Sequence, residues 1–564
     1  MKIAIATFLA ISLTSSQLSA QPDDQSAAAK VDALFNFKNT TPGCAVGVVQ
    51  NGKTLLSKGY GMADLAKGTP ITPQSMFYVA SVSKQFTALT VLLLAEKGRL
   101  RLSDSVRKFI PELPSYADAI TIYQLLTHTS GIRDYLSLGY LAGLSPDYVY
   151  TDDTSLRMIA RQEALSFVPS SEYLYSNSGY FLLSLVVKKV TGKPLDEVAR
   201  AEIFDPLGMK STRFSSDHTA LIPNKANGYE PGRSGWRVSN STLDVVGDGG
   251  LYASLDDMML WMRNLDSPAI GAKAIALMKT PGKLNSGAST DYGMGLALLE
   301  YRGLNIVEHG GDLAGYQAED LWFPQERFSV VVLCNSEYAI AHQFARQIAD
   351  IYLAARLKAA PQPITTSGSA QNSLRNNEIL AKVGMYRDTD GDYEEFSERD
   401  GSLFSITQGT PLDPLSDYQF AYRGLGRWEA TFDRLSPSHY FERSSEGSPP
   451  VRYDRADAIN LIEDDEKSYV GNYDSPELGT TYHVTLGSAG LSVAIGDQRA
   501  RALRSTGVDR MLANGGLEIM FVRDKSGKIT GFALNTVGGR IVPFPVFLHA
   551  GSIKNVQFQR ETGD

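Results

Sequence analysis

A serine and a lysine three residues apart, Ser81 and Lys84, are the residues of this sequence best suited to chemistry. The almost wholly apolar run at residues 86–94 and the following Gly98 predict a buried helix that ends at this glycine. Ser81 then lies at the helix N-terminus, where unpaired backbone N–H groups and the helix dipole stabilise developing negative charge. Lys84 lies nearly one turn later on the same face. A desolvated lysine has a lowered pKa and can take the proton of a serine hydroxyl, which predicts a nucleophile and its base.

A tyrosine and an asparagine, Tyr175 and Asn177, precede a second apolar helix that we predict over residues 180–190. A tyrosine near a lysine can be held as a phenolate or can pass a proton to a leaving group. An amide can hold a substrate carbonyl or orient the lysine. The pattern is weak by itself, because an ordinary loop tyrosine followed by a helix cap has the same sequence.

A third pattern, His309-Gly310-Gly311, follows the strand-like residues 304–308. Glycines at this place let a substrate backbone approach the strand edge closely, and the histidine supplies a polar or positive group beside the reacting bond. Neither this turn nor the serine–lysine pattern is specific alone, since Ser81 could equally be a helix N-cap. A buried lysine is costly unless something uses it, and this favours a catalytic role for the pair.

Taken together and in this order, the three patterns resemble those of the penicillin-recognising serine enzymes, which carry S-x-x-K, then Y-x-N, then K/H-x-G on a sheet strand. The family includes D-alanyl-D-alanine carboxypeptidases, class C β-lactamases, D-aminopeptidases and related esterases. Two further stretches, Leu-Leu-Thr-His-Thr-Ser-Gly at residues 125–131 and Gly-Asp-Gly-Gly-Leu at residues 247–251, are similar to sequences of the class C-type branch. The resemblance covers about residues 30–357.

The resemblance implies an α/β fold with an antiparallel central sheet and a helical subdomain. It also implies that Ser81 forms an acyl-enzyme, with Lys84 and Tyr175 sharing general-base and general-acid duty. His309 would polarise or relay protons near the leaving group, and Asn177 would position the substrate amide. The oxyanion hole would be formed by the backbone N–H groups of Ser81 and of a residue just past the glycines. The residues expected to contact the substrate or its oxyanion are therefore Asn177, Gly310, Gly311 and Asp312.

Two departures from the β-lactamase pattern bear on the substrate. His309 and Gly310 stand where β-lactamases usually carry lysine and threonine, and the acidic Asp312 that follows could repel a substrate carboxylate. These features fit D-aminopeptidases and broad peptidases or esterases better than β-lactamases or carboxypeptidases. We therefore expect a peptidase for small peptides with D- or unusual residues. A broad esterase, a class C-type β-lactamase and a sensor that acylates without turnover remain the alternatives.

The sequence pattern changes after the predicted catalytic domain. The predicted catalytic domain, residues 21–357, is followed by a predicted Pro- and Ser-containing linker at 358–375. After the linker we predict two small all-β domains, lipocalin-like barrels at residues 376–460 and 461–564. A weak repeat supports two units, because Val-Gly-Met-Tyr at residues 383–386 recurs as Val-Gly-Asn-Tyr at 470–473. This layout is similar to that of D-aminopeptidases and, more loosely, to that of peptidases that cleave linearised microcystin.

Composition and charge exclude several classes of partner. The 564 residues are 43% apolar and 21% charged, with a net charge of −8 that is spread without long runs. That argues against nucleic acid and anionic membranes, and the seven scattered histidines predict no metal site and no cofactor. Residues 47–54 match the Walker A pattern, but they read as a strand and hairpin rather than a strand followed by a helix, so no nucleotide is implied. The oligomeric state cannot be predicted.

The first twenty residues read as a signal peptide, with Lys2 before an apolar stretch and a cleavage site after Ala20. The stretch is too short to span a bilayer, so a periplasmic or secreted protein is expected. N-terminal sequencing of the recovered protein tests this, and a retained Met1 would contradict it.

Two cysteines, Cys44 and Cys334, are too few for a disulfide scaffold. We favour two buried thiols, although an exported protein leaves a single disulfide possible. The family resemblance implies that the two cysteines lie on adjacent strands of the central sheet.

Overall fold

In a computed structural model the chain folds into a catalytic domain, a curled β-sheet and a closed β-barrel. The structure describes residues 24–561 except 234, 338, 359–377, 389–392, 400, 407–409, 423–427, 446–449, 457–462, 497, 514–516, 537–552 and 555. The predicted signal peptide and residues 359–375 of the predicted linker lie outside the described residues. In the part that is described, no helix is long and apolar enough to cross a membrane.

A six-stranded antiparallel sheet forms the centre of the catalytic domain, as the family resemblance implied. In spatial order its strands are Ala297–Tyr301, Leu304–Leu313, Tyr316–Phe323, Phe328–Cys334, Cys44–Gln50 and Lys53–Tyr60. The last two strands form the predicted hairpin, in which Asn51 and Gly52 both have positive φ angles, 50° and 76°. The apolar strand Phe328–Cys334 is buried on both faces, because helices cover both sides of the sheet.

Helices of the catalytic domain form two layers around this sheet. Asp24–Leu34 and Ala341–Tyr352 pack on one face, whereas Ser83–Glu96 and Leu255–Asp266 pack on the other. The remaining helices and helical turns of the domain are Ala80–Val82, Val106–Lys108, Ser115–Ala119, Ile122–Leu126, Tyr135–Leu141, Asp152–Ala160, Asn177–Thr191, Leu195–Ala199, Arg200–Phe204, Asp205–Leu207, Ala272–Met278 and Pro324–Glu326. Apolar residues surround Ser83–Glu96 on almost every side, so this helix lies within the core.

Short strands complete the catalytic domain. They are Met62–Asp64 with Thr69–Pro70; Met76–Tyr78, Leu251–Ser254 and Arg213–Phe214; Tyr150–Thr151 with Leu243–Asp244; and Tyr229–Gly232 with Gly235–Val238. Met76–Tyr78 leads directly into the turn that carries Ser81, and Leu251–Ser254 pairs with it. This small sheet therefore fixes the approach of the chain to the nucleophile.

Two all-β domains follow the catalytic domain. The curled sheet has nine strands in the order Thr410–Pro411, Ser402–Ser405, Tyr393–Arg399, Gly384–Arg387, Val451–Ala456, Tyr440–Ser445, Trp428–Phe432, Gln419–Tyr422 and Asp413–Pro414. After helix Glu463–Tyr469, the closed barrel has eight strands: Gly471–Ser475, Thr480–Gly487, Gly490–Ile495, Arg501–Gly507, Arg510–Ala513, Leu517–Arg523, Ile529–Thr536 and Val556–Arg560. The predicted fold class is confirmed, with the first β domain curled rather than closed in its described strands.

Tyr386 and Tyr473 occupy equivalent positions in the first strands of the two β domains. The Tyr386 hydroxyl donates to the carbonyl of Lys382 at 3.1 Å, and the Tyr473 hydroxyl donates to the carbonyl of Tyr469 at 2.7 Å. Both rings are fully buried. Each tyrosine thus ties the first strand of its domain to the segment four residues earlier, at the place where the sequence repeat occurs.

Cys44 and Cys334 form a disulfide. They lie opposite each other on two neighbouring strands of the central sheet, as the family resemblance implied. The interpretation that we favoured from composition, two separate buried thiols, is therefore wrong. Composition could not reveal the bond, because 290 residues separate the cysteines and only the order of the strands brings them together.

Loss of this disulfide is expected to lower the free energy of unfolding by about 2–5 kcal/mol, since the bond closes a very long loop in the unfolded chain. The double variant Cys44→Ala/Cys334→Ala, compared with the oxidised protein in urea, measures the change. Reduced wild-type protein is the control, and it should unfold at the same urea concentration as the variant. An unchanged midpoint would contradict the prediction.

Candidate active site

Ser81 lies in the helical turn Ala80–Val82, immediately before the core helix Ser83–Glu96. The Lys84 ammonium nitrogen donates to the Ser81 hydroxyl oxygen at 3.0 Å. Lys84 is fully buried, whereas Ser81 is partly exposed. The predicted pair is therefore in contact, and the serine keeps part of its surface exposed.

Two acceptors besides the serine hold the Lys84 side chain. Its nitrogen donates to the side-chain oxygen of Asn177 at 2.8 Å and to the backbone carbonyl of Asp248 at 2.7 Å. Burial lowers the pKa of Lys84 to about 8, although the carboxylates of Asp248 and Asp134 act in the opposite direction. A lysine with this pKa is partly unprotonated near neutral pH, and the neutral amine can accept the serine proton.

Tyr175 contacts both members of this pair. Its hydroxyl is hydrogen-bonded to Ser81, and its ring centre lies 4.8 Å from the Lys84 nitrogen. Burial raises the pKa of Tyr175 well above its ordinary value. Tyr175 is therefore a neutral phenol near neutral pH, so this geometry favours it as a proton donor and Lys84 as the base.

Asn177 begins the helix Asn177–Thr191 and joins the lysine to an aspartate. Its backbone N–H donates to the Asp134 carboxylate at 2.6 Å, while its side-chain oxygen accepts from Lys84. The Asn177 side chain also bonds to the Asp134 carboxyl, whose pKa burial raises. Of the two roles that the sequence left open for this amide, the contacts favour orienting the lysine.

His309 lies within the strand Leu304–Leu313, and both of its ring nitrogens have partners. Nδ1 is 2.7 Å from the Gly310 carbonyl, and Nε2 is 2.9 Å from the Tyr292 hydroxyl. A carbonyl only accepts, so Nδ1 carries the hydrogen and, in the neutral ring, Nε2 accepts from Tyr292. The His309 and Tyr175 rings lie 6.3 Å apart. Tyr292 is therefore a side chain with which His309 can exchange a proton directly.

The glycines bring this strand against the nucleophile turn. A Cβ on Gly311 would lie 2.1 Å from the Val79 carbonyl oxygen, a distance that only glycine permits. On one side of the strand Leu304–Leu313, the strand Ala297–Tyr301 pairs with residues 304–308. No described strand pairs with residues 309–313 on that side. The arrangement leaves a strand edge beside Ser81 on which a substrate backbone can lie.

Asp312 follows the glycines and is partly buried. Burial and the nearby carboxylate of Glu337 raise the pKa of Asp312 well above its ordinary value. One of its carboxyl oxygens is buried without a hydrogen-bond partner. A raised pKa favours the uncharged form of Asp312, and this weakens the repulsion of substrate carboxylates expected from the sequence.

His128 is a residue of the site that the sequence did not single out, although it belongs to the stretch at 125–131 that supported the family resemblance. Its ring centre is 4.2 Å from that of Tyr175, and its Nδ1 accepts the backbone N–H of Ser176 at 3.2 Å. Burial holds the pKa of His128 well below its usual range, so the ring is neutral. His128 thus packs against Tyr175 and fixes the chain beside it.

The chain is similar to several known proteins. Over 346 residues the chain is 30% identical to a D-aminopeptidase of Gluconobacter oxydans, and the match covers 61% of this chain and 64% of that protein. The chain thus spans less than two thirds of the length of this curated relative. An octameric penicillin-binding protein homologue from Pyrococcus abyssi superimposes with a TM-score of 0.53 at 22% identity, covering 76% of this chain and 98% of that one. SurE with D-Leu gives a TM-score of 0.50 at 17% identity, covering 94% of this chain and 99% of that one.

The two structural likenesses show the fold alone, because their sequence identities are low. The family is shown by the sequence. Residues 26–353, more than half of the chain, match the Beta-lactamase family, and they contain every residue of the site described above. The chain belongs to this family of penicillin-recognising serine hydrolases.

Proposed function

We propose that this protein is an exported serine hydrolase that forms an acyl-enzyme on Ser81 and cleaves small peptides with D- or unusual residues. The observation that carries the proposal is the buried Lys84, whose pKa of about 8 and 3.0 Å contact with the Ser81 hydroxyl suit it to be a general base. The Cys44–Cys334 disulfide supports export, because such bonds persist in oxidising compartments.

Acylation begins when neutral Lys84 takes the proton of Ser81 and the serine oxygen attacks the substrate carbonyl carbon. The carbonyl oxygen becomes negatively charged, and the backbone N–H groups of Ser81 and Asp312 are the proposed donors to it. Collapse of this intermediate breaks the bond to the leaving group. Neutral Tyr175, which is hydrogen-bonded to Ser81, gives its proton to the leaving nitrogen or oxygen and is reprotonated from Lys84.

Deacylation repeats these steps with water in place of the serine. Neutral Lys84 takes a proton from the water as the water oxygen attacks the ester carbonyl carbon, and the protonated lysine then returns this proton to the Ser81 oxygen as the acyl bond breaks. Asn177 and the Asp248 carbonyl keep the lysine in place during both halves of the reaction, since each accepts from its nitrogen. The same chemistry cleaves amides, esters and lactams, so the substrate is decided by what binds beside the strand edge.

A D-aminopeptidase-like substrate is supported by two observations. The Gluconobacter oxydans relative is named a D-aminopeptidase. His309 and Gly310 replace the lysine and threonine of the β-lactamase pattern, and His309 is already bonded to Tyr292 and to the backbone, which weakens it as a binding group for a substrate carboxylate. The proposed substrates include linearised cyclic peptides. This part of the proposal rests only on the similarity in domain layout to peptidases that cleave linearised microcystin.

A substrate panel beside the Ser81→Ala variant tests the proposal. The panel contains D-amino-acid amides, short linear peptides, p-nitrophenyl esters and nitrocefin. Turnover of a D-amino-acid amide or a peptide that disappears in the variant is the expected result. Activity confined to esters or to nitrocefin would replace the peptidase by an esterase or a β-lactamase. Stoichiometric acylation without turnover would show a sensor, and activity that survives in the variant would overturn the nucleophile.

A further inference from the structure

One helix of the catalytic domain, Tyr135–Leu141, enters the hydrophobic core of the closed barrel. Leu138, Tyr140 and Leu141 pack in one cluster with the inward-facing residues of the barrel. The Tyr482 hydroxyl of the barrel donates to the carbonyl of Leu141 at 2.9 Å. We call Tyr135–Leu141 the docking helix. Because its side chains share the barrel core, the barrel and this helix must move together.

A buried ion pair joins the barrel to the residues just before the docking helix. Arg133 Nη1 donates to Glu477 Oε1 at 2.6 Å, and the two side chains are only 1% and 3% exposed. The same Glu477 oxygen accepts the backbone N–H of Glu163 at 2.8 Å. Arg133 Nη2 also donates to the carbonyl of Lys554 in the barrel at 3.2 Å. Each of the two buried charged groups makes a further hydrogen bond besides the one that joins them, so the ion pair has one well-defined geometry.

The two residues after Arg133 reach the catalytic centre. The Asp134 carboxylate accepts the backbone N–H of Asn177 at 2.6 Å. The Tyr135 hydroxyl donates to the carboxylate of Asp248 at 2.9 Å. Asn177 and Asp248 are the two residues that accept from the Lys84 nitrogen besides Ser81. Three consecutive residues, 133–135, therefore connect the barrel on one side with both supports of the lysine on the other.

We propose that the closed barrel is a positioning part of the catalytic centre, in which Glu477 fixes Arg133 and thereby holds the supports of Lys84. Arg133 and Glu477 are positioning residues, since neither contacts the reacting atoms. The inference rests on the proposed acylation at Ser81. It predicts that the barrel determines how fast each folded molecule turns over, in addition to any effect on stability.

The test is a Glu477→Gln variant of the full chain, measured as kcat for each active site. The number of active sites is counted by end-point labelling with a fluorophosphonate, so that unfolded molecules do not lower kcat. We expect kcat to fall roughly 10- to 100-fold while KM changes little, because a displacement of about 1 Å in a catalytic group has effects of this size. Loss of folded protein alone would lower the number of sites and leave kcat unchanged.

Glu518→Gln is the matched control. Glu518 is also a buried glutamate of the barrel, and it pairs with Arg387 of the curled sheet instead of the catalytic domain. The control should keep the wild-type kcat for each site even where its melting temperature falls. A wild-type kcat in Glu477→Gln, or an equal fall in Glu518→Gln, would overturn the proposal.

A second variant covers the case in which Glu477→Gln does not fold. Arg133→Met/Glu477→Gln leaves no unpaired buried charge, and replacement of a whole buried ion pair is often tolerated. This double variant should fold and still show the reduced kcat, and a wild-type kcat would count against the barrel. All variants are assayed on a D-amino-acid p-nitroanilide and on a p-nitrophenyl ester. If only the ester is cleaved, the proposed substrate fails while the comparison of variants on the ester still decides the role of the barrel.

Discussion

A Lys84→Met variant is expected to have a kcat/KM about 10³- to 10⁴-fold below that of the wild-type protein on any substrate that acylates Ser81. Methionine fills much of the same volume but cannot accept a proton. In the wild-type protein the lysine nitrogen lies 3.0 Å from the Ser81 hydroxyl, and the described residues bring no other base with a pKa near neutral into contact with that oxygen. Kinetics on the best substrate of the panel measure the change.

The dependence of kcat/KM on pH gives a second readout of the same prediction. Lys84, the proposed base, acts in its neutral form, so the wild-type kcat/KM should rise as the pH increases through about 8, the pKa of Lys84. This rise should be absent in Lys84→Met. Lys97→Met is the control, because Lys97 is an exposed lysine one residue beyond the same helix, where it pairs with Glu202. A Lys84 variant that keeps the wild-type pH profile would show that another group is the base.

The division of roles between Lys84 and Tyr175 follows from burial itself. A low-dielectric site disfavours charge, so it removes the proton from a lysine and keeps the proton on a tyrosine. The pKa of Lys84 is lowered and that of Tyr175 is raised for this one reason. The proposed base and the proposed acid are thereby both uncharged beside the same serine hydroxyl.

Local patterns in the sequence were enough to predict much of the catalytic domain. The apolar run after Lys84 predicted a buried helix, and the helix Ser83–Glu96 is present. Asn51-Gly52 predicted a hairpin, because the required positive φ angles suit these two residues. Such features depend on neighbours along the chain. The Ser81–Lys84 contact was predictable for the same reason, since it lies within one helical turn.

Contacts between distant segments could not be predicted in this way. The Cys44–Cys334 bond depends on which strands are neighbours in the sheet. The support of Lys84 by Asp248 and the link from Arg133 to Glu477 join residues that are 164 and 344 positions apart. No periodicity connects such residues. Asn177 was predictable as part of the site through the family pattern, but its bonds to Asp134 and Lys84 became visible only in the folded chain.

Gly311→Ala is expected to lower kcat about 10²- to 10³-fold, although the substitution adds only one uncharged methyl group. The new carbon would lie 2.1 Å from the Val79 carbonyl oxygen and 3.3 Å from the Ala80 side chain, in the backbone that leads into Ser81. Neither backbone can give way easily, because Val79 is hydrogen-bonded to Leu251 in the neighbouring strand and Gly311 is paired with Ala318 in the central sheet. The strand and the nucleophile turn would therefore separate by about 1 Å, which misplaces the proposed oxyanion donor at Asp312.

Gly310→Ala separates this effect from a general intolerance of alanine in the strand. Its added carbon would point to the opposite face of the sheet and meet only the carboxylate end of Glu319, at 3.0 Å, and the Ala318 carbonyl at 3.9 Å. A side-chain end can shift by a few tenths of an ångström, so Gly310→Ala should lower kcat much less than Gly311→Ala does. Both variants are compared as kcat for each labelled active site. Equal losses in the two variants would mean that strand stability, and not the distance between Gly311 and the nucleophile turn, limits the reaction.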